Sequence, residues 1–381
     1  MRGQWLGIYT GSNEAGSVTS GGKIMINIDE VGDHFEGVAY LHPTDRNRFF
    51  STIAYFSTQN KNPTQTANAS IFPIHPHTGF QCTWEDIKNY AKELGGDLEE
   101  GTYTSNAEVD LCVQHNKLHI NAVSAIGDTL TAVLDKSSGI AKSKIEGQKM
   151  SWDEFKSNLH TISKQGYLFR GQQEPWSLCT SFHRRGRYRI SEFTNRDVKQ
   201  LHQKLSAITP HFFDLNVPDQ NGAFFNLLQH HGYPTPLLDW SHSPYVAAFF
   251  AFRGRPINYS GDEVVRIYVF NNQDWQKQFP QIQNIDPPYP HLSVVEFIAL
   301  NNPRLVPQQS ATTATNLHDI ETYIMEKEAE TGVRFLGAID IPAKEREAAM
   351  RDLRFMGITA GSMFPSIDGV CEEIRERNFD Q

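Results

Sequence analysis

The chain has 381 residues, 39% hydrophobic and 21% charged, which fits a soluble globular protein with real cores and room for two domains of ordinary size. Its formal net charge of −9 argues against non-specific nucleic-acid binding by the chain as a whole, while leaving room for a local basic patch. No run approaches the ~20 apolar residues of a membrane span, Met1 to Trp5 opens no signal-like apolar stretch, and Cys82, Cys112, Cys179 and Cys371 lack paired spacing, so a cytoplasmic protein with reduced thiols and no zinc site is expected.

Residues 1 to 145 read as β-rich. Trp5 to Tyr9 starts a strand, and Gly11 to Gly22 reads as a Gly/Ser loop. Ile24, Ile26 and Ile28 then alternate onto one face, and a Gly32-Asp33 turn leads into Phe35 to Tyr40 as a hairpin. Gln59 to Ser70 reads as loop. Trp84 to Leu94 is one helix, with Thr83 and Asp86 three residues apart at its start. Glu108 to Val113 and Leu118 to Val123 pair through a turn at Gln114 to Lys117, and Thr129 to Leu134 is a last strand. Short strands at this spacing suggest a small barrel or sandwich. The opening Gly3-x-Trp5-x-Gly7-x-Tyr9 resembles small ligand-holding barrels, but the pattern is common and more often marks only a strand start with a core tryptophan.

Asp135 to Gln148, rich in serine, glycine and lysine, is the linker candidate, dividing the chain into residues 1–145 and 150–381. After it, a helix from Ser151 precedes the strand Tyr167-Leu168-Phe169-Arg170-Gly171-Gln172. Further strands are expected at Val264 to Phe270, Ser293 to Leu300 and Phe335 to Ile341. Helices are expected at Arg196 to Thr209, Leu317 to Thr331 and Ala343 to Met356, the last closed by Gly357. The mixed order reads as α+β.

Arg170, at the end of a buried strand and followed by a residue without a Cβ, suits an anionic ligand, or else an ion pair with Asp239 or Glu174. Ser243 and Pro244 fit the N-cap and first position of an apolar helix, which puts Asp239 and Trp240 just ahead of a helix N-terminus, a good address for phosphate. The one basic cluster, Arg184, Arg185, Arg187 and Arg189 around Tyr188, is either a solvated loop or a track for the phosphates of a nucleic acid, with Tyr188 stacking. His230 and His231, being adjacent, cannot both face one metal from a regular helix, so no metal is expected there. No Walker, dinucleotide, Ser-His-Asp or His-Glu-x-x-His pattern occurs.

Phe169-Arg170-Gly171 together with Gln229-His230-x-Gly232-x-Pro234-Thr235-x-Leu237-Leu238-Asp239-Trp240 resembles the FRG domain family. Asn302-x-Arg304 with Gln308-Gln309, Leu353 with Gly357-Ile358, and Met363 to Gly369 resemble its later blocks, so the likeness spans residues 150 to 375. The Arg-Gly strand is in turn similar to the first motif of the ADP-ribosyltransferases. That resemblance implies a mixed α+β, ADP-ribosyltransferase-like domain that uses NAD as substrate, held by Phe169, Arg170, Gly171, Gln172, Thr235 and Trp240. Catalysis would fall to Arg170, Gln309, Glu296 and Asp239, with Gln309 standing where a glutamate is usual. Arg184, Arg185, Arg187 and Tyr188 would meet a nucleic acid. The implied partners are an RNA, DNA or protein acceptor and a regulatory protein or antitoxin, as in a toxin or phage-defence system, with no membrane. A non-catalytic nucleotide- or nucleic-acid-binding module is the alternative.

Overall fold

The computed structural model describes residues 1–13, 16–45, 49–93, 103–138, 142–162, 166–254, 261–298, 300 and 302–379. Its first part is a closed antiparallel barrel in which each strand pairs with the next and the last with the first. The strands are β1 (Gly3–Ser12), β2 (Val18–Val31), β3 (His34–Pro43), β4 (Thr52–Ser57), β5 (Thr64–Pro73), β6 (Asn106–Gln114), β7 (Lys117–Ser124) and β8 (Thr129–Lys136). The alternation of Ile24, Ile26 and Ile28 places all three inside the barrel with Trp5, Phe35, Leu118 and Leu134. The tight turn at His115 and Asn116 takes left-handed φ values of 50° and 62°, which asparagine tolerates better than most residues. The helix Trp84–Glu93 starts as expected, with the Thr83 N–H and hydroxyl donating to Asp86 at 2.8 and 2.6 Å; Leu94 lies outside the described residues.

Two stretches read as loop are strand. Within Gly11 to Gly22, residues 11–12 and 18–22 belong to the ends of β1 and β2, with Asn13, Gly16 and Ser17 in neither strand and 14–15 outside the described residues, and Gln59 to Ser70 holds most of β5. Up to Ser70 the inward residues of β5 are Gln65, Ala67 and Ala69, so that part carries the alternation of a strand without a large apolar side chain, the first being Ile71.

The second part is a seven-stranded sheet in the order β13-β14-β11-β10-β12-β15-β9. Its strands are β9 (Gly147–Lys149), β10 (Tyr167–Gln172), β11 (Leu237–Ser241), β12 (Val264–Asn271), β13 (Leu292–Val295), β14 (Ser310–Thr315) and β15 (Leu336–Pro342). Only the β15–β9 pair is parallel. One face packs on the helices Trp152–Ile162, Pro244–Phe252 and Arg346–Phe355 through Phe155, Phe169, Phe249, Ile267 and Leu353. The other packs on the helix Ile320–Thr331 through Leu168, Tyr268, Trp275 and Ile324. Arg266 and Asp340, on the paired strands β12 and β15, form a buried two-bond ion pair at 2.7 and 2.8 Å. The expected strand from Ser293 stops at Val295, and Ala299 lies outside the described residues.

Asp135 to Gln148 is not a free linker where it is described (139–141 are outside). The Ser143 hydroxyl and Lys144 N–H donate to Glu321 at 3.0 and 2.8 Å, the Ile145 carbonyl accepts from Arg266 at 2.9 Å, and Gly147 and Gln148 already belong to β9. The barrel is bonded into the sheet by buried polar groups. Gln4 donates to the Asn316 carbonyl at 2.7 Å and accepts from the His318 N–H at 2.9 Å. Asp29 accepts the N–H groups of Tyr188 and Arg189 at 2.6 and 3.3 Å.

Burial holds His183, His230, His291 and His318 below the ordinary imidazole value, His291 at about 4. These groups are neutral when folded and take up protons on unfolding, so stability falls as pH drops from about 6.5 toward the depressed native values, by up to about 1.4 kcal/mol per pH unit for each. Asp286, pushed up to about 7 by burial, and Asp29, also raised, act in the opposite sense and offset part of this. A lower urea midpoint is expected at pH 5 than at pH 7.5. An equal or higher midpoint at pH 5 would contradict neutral burial of the four imidazoles.

Candidate functional site

Between the end of β10, the start of the helix-packed face and the loop before β14 lies a cavity of about 680 Å³. That volume is in the range of sites for cofactor- and nucleotide-sized ligands. Its walls come from Phe169 to Gln173, Gln229 and His230, Asp239 to Ser241, Arg304 with Gln308, and Phe364, together with residues of 176–184 and 247–253. The motif residues among them lie up to 195 positions apart and meet only in the folded chain.

Arg170 sits at the centre. Its guanidinium donates to the main-chain carbonyl of Asp239 at 2.6 Å, and its Nε is buried with no hydrogen-bond partner. Among the described residues it makes no ion pair, so the expected alternative of a structural pair with Asp239 or Glu174 is not what the fold contains. Burial works against its charge and the nearby Asp239 carboxylate supports it. A fork of donors with unused capacity, facing a cavity, suits a bidentate oxyanion ligand. Arg184, Arg253 and Arg304 also line the cavity, against the single acid Asp239. Arg253 is neutralised by Glu372 through two bonds of 2.6 Å and lies over the Phe364 ring at 4.1 Å, with Arg304 at 5.3 Å from the same ring.

A polar chain runs along one wall. Gln229 donates to Asp239 Oδ2 at 3.0 Å, leaving Oδ1 without a hydrogen bond and 4.0 Å from His230 Nε2. His230 Nδ1 is 3.1 Å from Asn302 Oδ1, which also accepts the Arg304 N–H at 3.3 Å. As Asn302 Oδ1 is an acceptor, His230 Nδ1 carries the proton and Nε2 keeps a lone pair. Burial keeps this imidazole neutral at pH 7. At the lip, Trp176 is 46% exposed, an aromatic face open to a planar group.

Several expected site residues lie elsewhere. Gln309 is exposed at φ 45°, and its carbonyl accepts the His242 N–H at 2.9 Å; its neighbour Gln308 lines the cavity instead. Glu296 is exposed just beyond β13 and does not reach the cavity. Thr235 is wholly buried away from it, its N–H accepted by the Ser181 hydroxyl at 3.0 Å. Trp240 lines the cavity, but it is a core residue whose indole donates to Thr313 at 3.0 Å. Of the basic cluster, only Arg184 reaches the cavity, donating to the Cys179 carbonyl at 2.9 Å. Arg185 is exposed, Arg187 pairs with Asp197, Arg189 pairs with Glu36 of the barrel, and Tyr188 is buried against His318. Tyr188 and Arg189 therefore join the two parts of the chain through Asp29 and Glu36 of the barrel, while Arg187 is paired within the second part. Ser243 caps its helix as expected, accepting the Val246 N–H at 3.3 Å, yet the helix offers the cavity Ala247 and Phe250 rather than its first turn. The phosphate address at that N-terminus is thus not part of the site.

Residues 165–258 match the family model of the FRG domain. The chain carries an FRG domain. No curated protein and no solved structure matches. Phe169, Arg170, Gly171, Gln229, His230, Asp239 and Trp240 all lie inside the matched span and all line the cavity, so the domain's motifs are its walls. The sequence assigns no site role to His230, Arg304 or Gln308 beyond their place in the family blocks. The recurrence of polar residues at the ends of otherwise apolar segments was the available signal. No helix among the described residues is long and apolar enough to cross a membrane.

The glycine of the FRG motif has a packing reason. A Cβ at Gly171 would lie 1.8 Å from the Ala247 carbonyl oxygen and 2.7 Å from the Ala251 nitrogen, both main-chain atoms of the helix Pro244–Phe252. Gly171→Ala must push that helix off β10 and is expected to cost ~2 kcal/mol or more, read as a lowered urea midpoint. An unchanged midpoint would mean that helix and strand do not approach so closely.

Proposed function

We propose that the FRG-domain cavity binds NAD as substrate and transfers its ADP-ribosyl group to a macromolecule, RNA, DNA or protein. The observation that carries this reading is the under-used guanidinium of Arg170, buried without a carboxylate partner in a cavity rimmed by further arginines. A dinucleotide pyrophosphate supplies the paired oxyanions such a fork accepts, and Arg184 and Arg304 add positive charge. The exposed face of Trp176 offers a stacking surface for a base.

The chemistry requires a bond to break at the ribose carbon attached to nicotinamide. Nicotinamide leaves as a neutral molecule with the bonding electron pair, and positive charge develops on the ribose. Asp239, the one carboxylate lining the cavity among the described residues, is the group that stabilises this charge, in place of the expected Gln309 and Glu296. A nucleophilic oxygen or nitrogen of the acceptor forms the new bond to the same carbon. Its proton passes to His230 Nε2, which is neutral and unprotonated at that atom at pH 7.

The test is incubation of the full chain with NAD labelled on its adenosine half and a cell extract. Label is expected on a macromolecular fraction. Asp239→Asn should slow transfer about 100-fold, the scale of one lost electrostatic stabiliser of ~3 kcal/mol. His230→Ala should lower the rate and abolish its decline on the acid side of the depressed imidazole value. Absence of transfer with saturable NAD binding would replace this reading with a nucleotide-binding module. Absence of both would remove NAD altogether.

A further inference from the structure

The barrel is hollow. An eight-stranded barrel has an interior that side chains just fill or that holds one small molecule. At one end, Trp5, Ile28, Phe35, Leu118 and Leu134 fill it. By register these residues cluster at the start of β1 and β7, the end of β8 and the β2–β3 turn, which is the end bonded to the rest of the chain through Gln4 and Asp29. Toward the opposite end the inward positions shrink to Ala39, Ala54, Ala69, Ala107 and Ala122 on five successive strands. They leave a cavity of about 660 Å³, walled otherwise by Ile24, Ile26, Phe56, Val109 and Ile120. A stable core rarely leaves such a volume without a use, because packing it would add dispersion contacts and remove a cavity penalty.

The mouth is aromatic and built. Phe49 and Phe50 line it, and the rings of Trp84 and Tyr103 stack at 4.4 Å where the helix Trp84–Glu93 crosses the strand ends. Polar groups inside are hydroxyls: Ser20, Thr52, Ser124, Thr129 and Tyr9. Tyr9 is 7% exposed and its hydroxyl has no hydrogen-bond partner among the described residues. Asp128, an exposed residue of the β7–β8 turn, is the only charged side chain among the described lining residues. Among the described lining residues there is no cation to hold a carboxylate or phosphate, and an acid at the mouth disfavours one.

We propose that the barrel is a binding site for a small, uncharged, largely apolar molecule with a hydrogen-bonding group that reaches the Tyr9 hydroxyl. The apolar walls supply affinity through burial and the hydroxyls orient the polar end. The site is separate from the FRG-domain cavity, with which it shares no lining residue, and it does not depend on the reading of that cavity.

The experiment titrates the full chain with the neutral dye N-phenyl-1-naphthylamine, followed by its fluorescence rise, and then displaces it with decan-1-ol or decanoate. Saturable binding of one dye per chain is expected, with decan-1-ol competing at least tenfold better than decanoate. Ala107→Trp and Ala54→Phe, on β6 and β4, fill the cavity from two sides and are expected to weaken dye binding at least tenfold while the circular dichroism spectrum stays native. Lack of saturable binding by the wild-type chain, or equal competition by decanoate, overturns the proposal. So does undiminished binding in either filled variant that folds. If both variants unfold, the two wild-type competition curves decide.

Discussion

A guanidinium buried without a carboxylate is costly, and the second half of this chain is arranged around tolerating one. Arg170 leaves β10 into a cavity where its one protein acceptor is a main-chain carbonyl. Removing an isolated charge from water costs several kcal/mol unless something pairs it, so the site stores an affinity for whatever anion completes it. The position of the guanidinium is set by backbone. The carbonyl belongs to Asp239 on the adjacent strand β11, and the strand that carries Arg170 is pressed on the helix Pro244–Phe252 by the missing side chain of Gly171. Phe and Gly of the motif therefore serve the core and the close approach of strand to helix, and Arg between them lines the cavity.

The same economy appears in the wall formed by Gln229, Asp239, His230, Asn302 and Arg304, where each polar group is oriented by the next. Orientation of this kind fixes the tautomer of His230 and leaves His230 Nε2 and the buried Asp239 Oδ1 free of hydrogen bonds from the described residues. Such pre-arranged groups cost little reorganisation when charge develops beside them. The barrel, by contrast, touches none of this directly. It is tied to the sheet through Gln4, Asp29 and Glu36, using the basic loop 187–189 as its socket.

Much of the architecture was legible. The alternating isoleucines of β2, the Gly32-Asp33 turn, the Thr83 and Ser243 caps and the mixed order of the second half all appear where residue chemistry places them. The failures share a cause. Strands β5 and β14, Thr64–Pro73 and Ser310–Thr315, are built from alanine, serine and threonine, so a reading based on large apolar residues passes them by. In β5 the small residues are the ones that hollow the barrel; in β14 they allow close packing beside Trp240. The Ser/Gly/Lys composition after Asp135 looked flexible because its partners, Glu321 and Arg266, lie more than a hundred residues downstream. For the site, the motif residues were legible and their geometry was not. A one-residue difference separates Gln308, in the wall, from Gln309, on the surface. Arg189 reads as part of a phosphate track since nothing nearby in sequence reveals Asp29 and Glu36 on the barrel, and Arg187 because its partner Asp197 lies ten residues on.

The central claim is that Arg170 is held for an anionic dinucleotide rather than for the core. Calorimetric titration of NAD into the full chain tests it most directly when Arg170→Lys and Arg170→Ala are run beside the wild type. The account predicts saturable binding by the wild type, weaker binding by the lysine variant because a point charge cannot reproduce the fork, and a loss of ~2–5 kcal/mol in the alanine variant, with all three folded. A folded Arg170→Ala protein that binds NAD as tightly as the wild type, or a wild type that binds none, would contradict it.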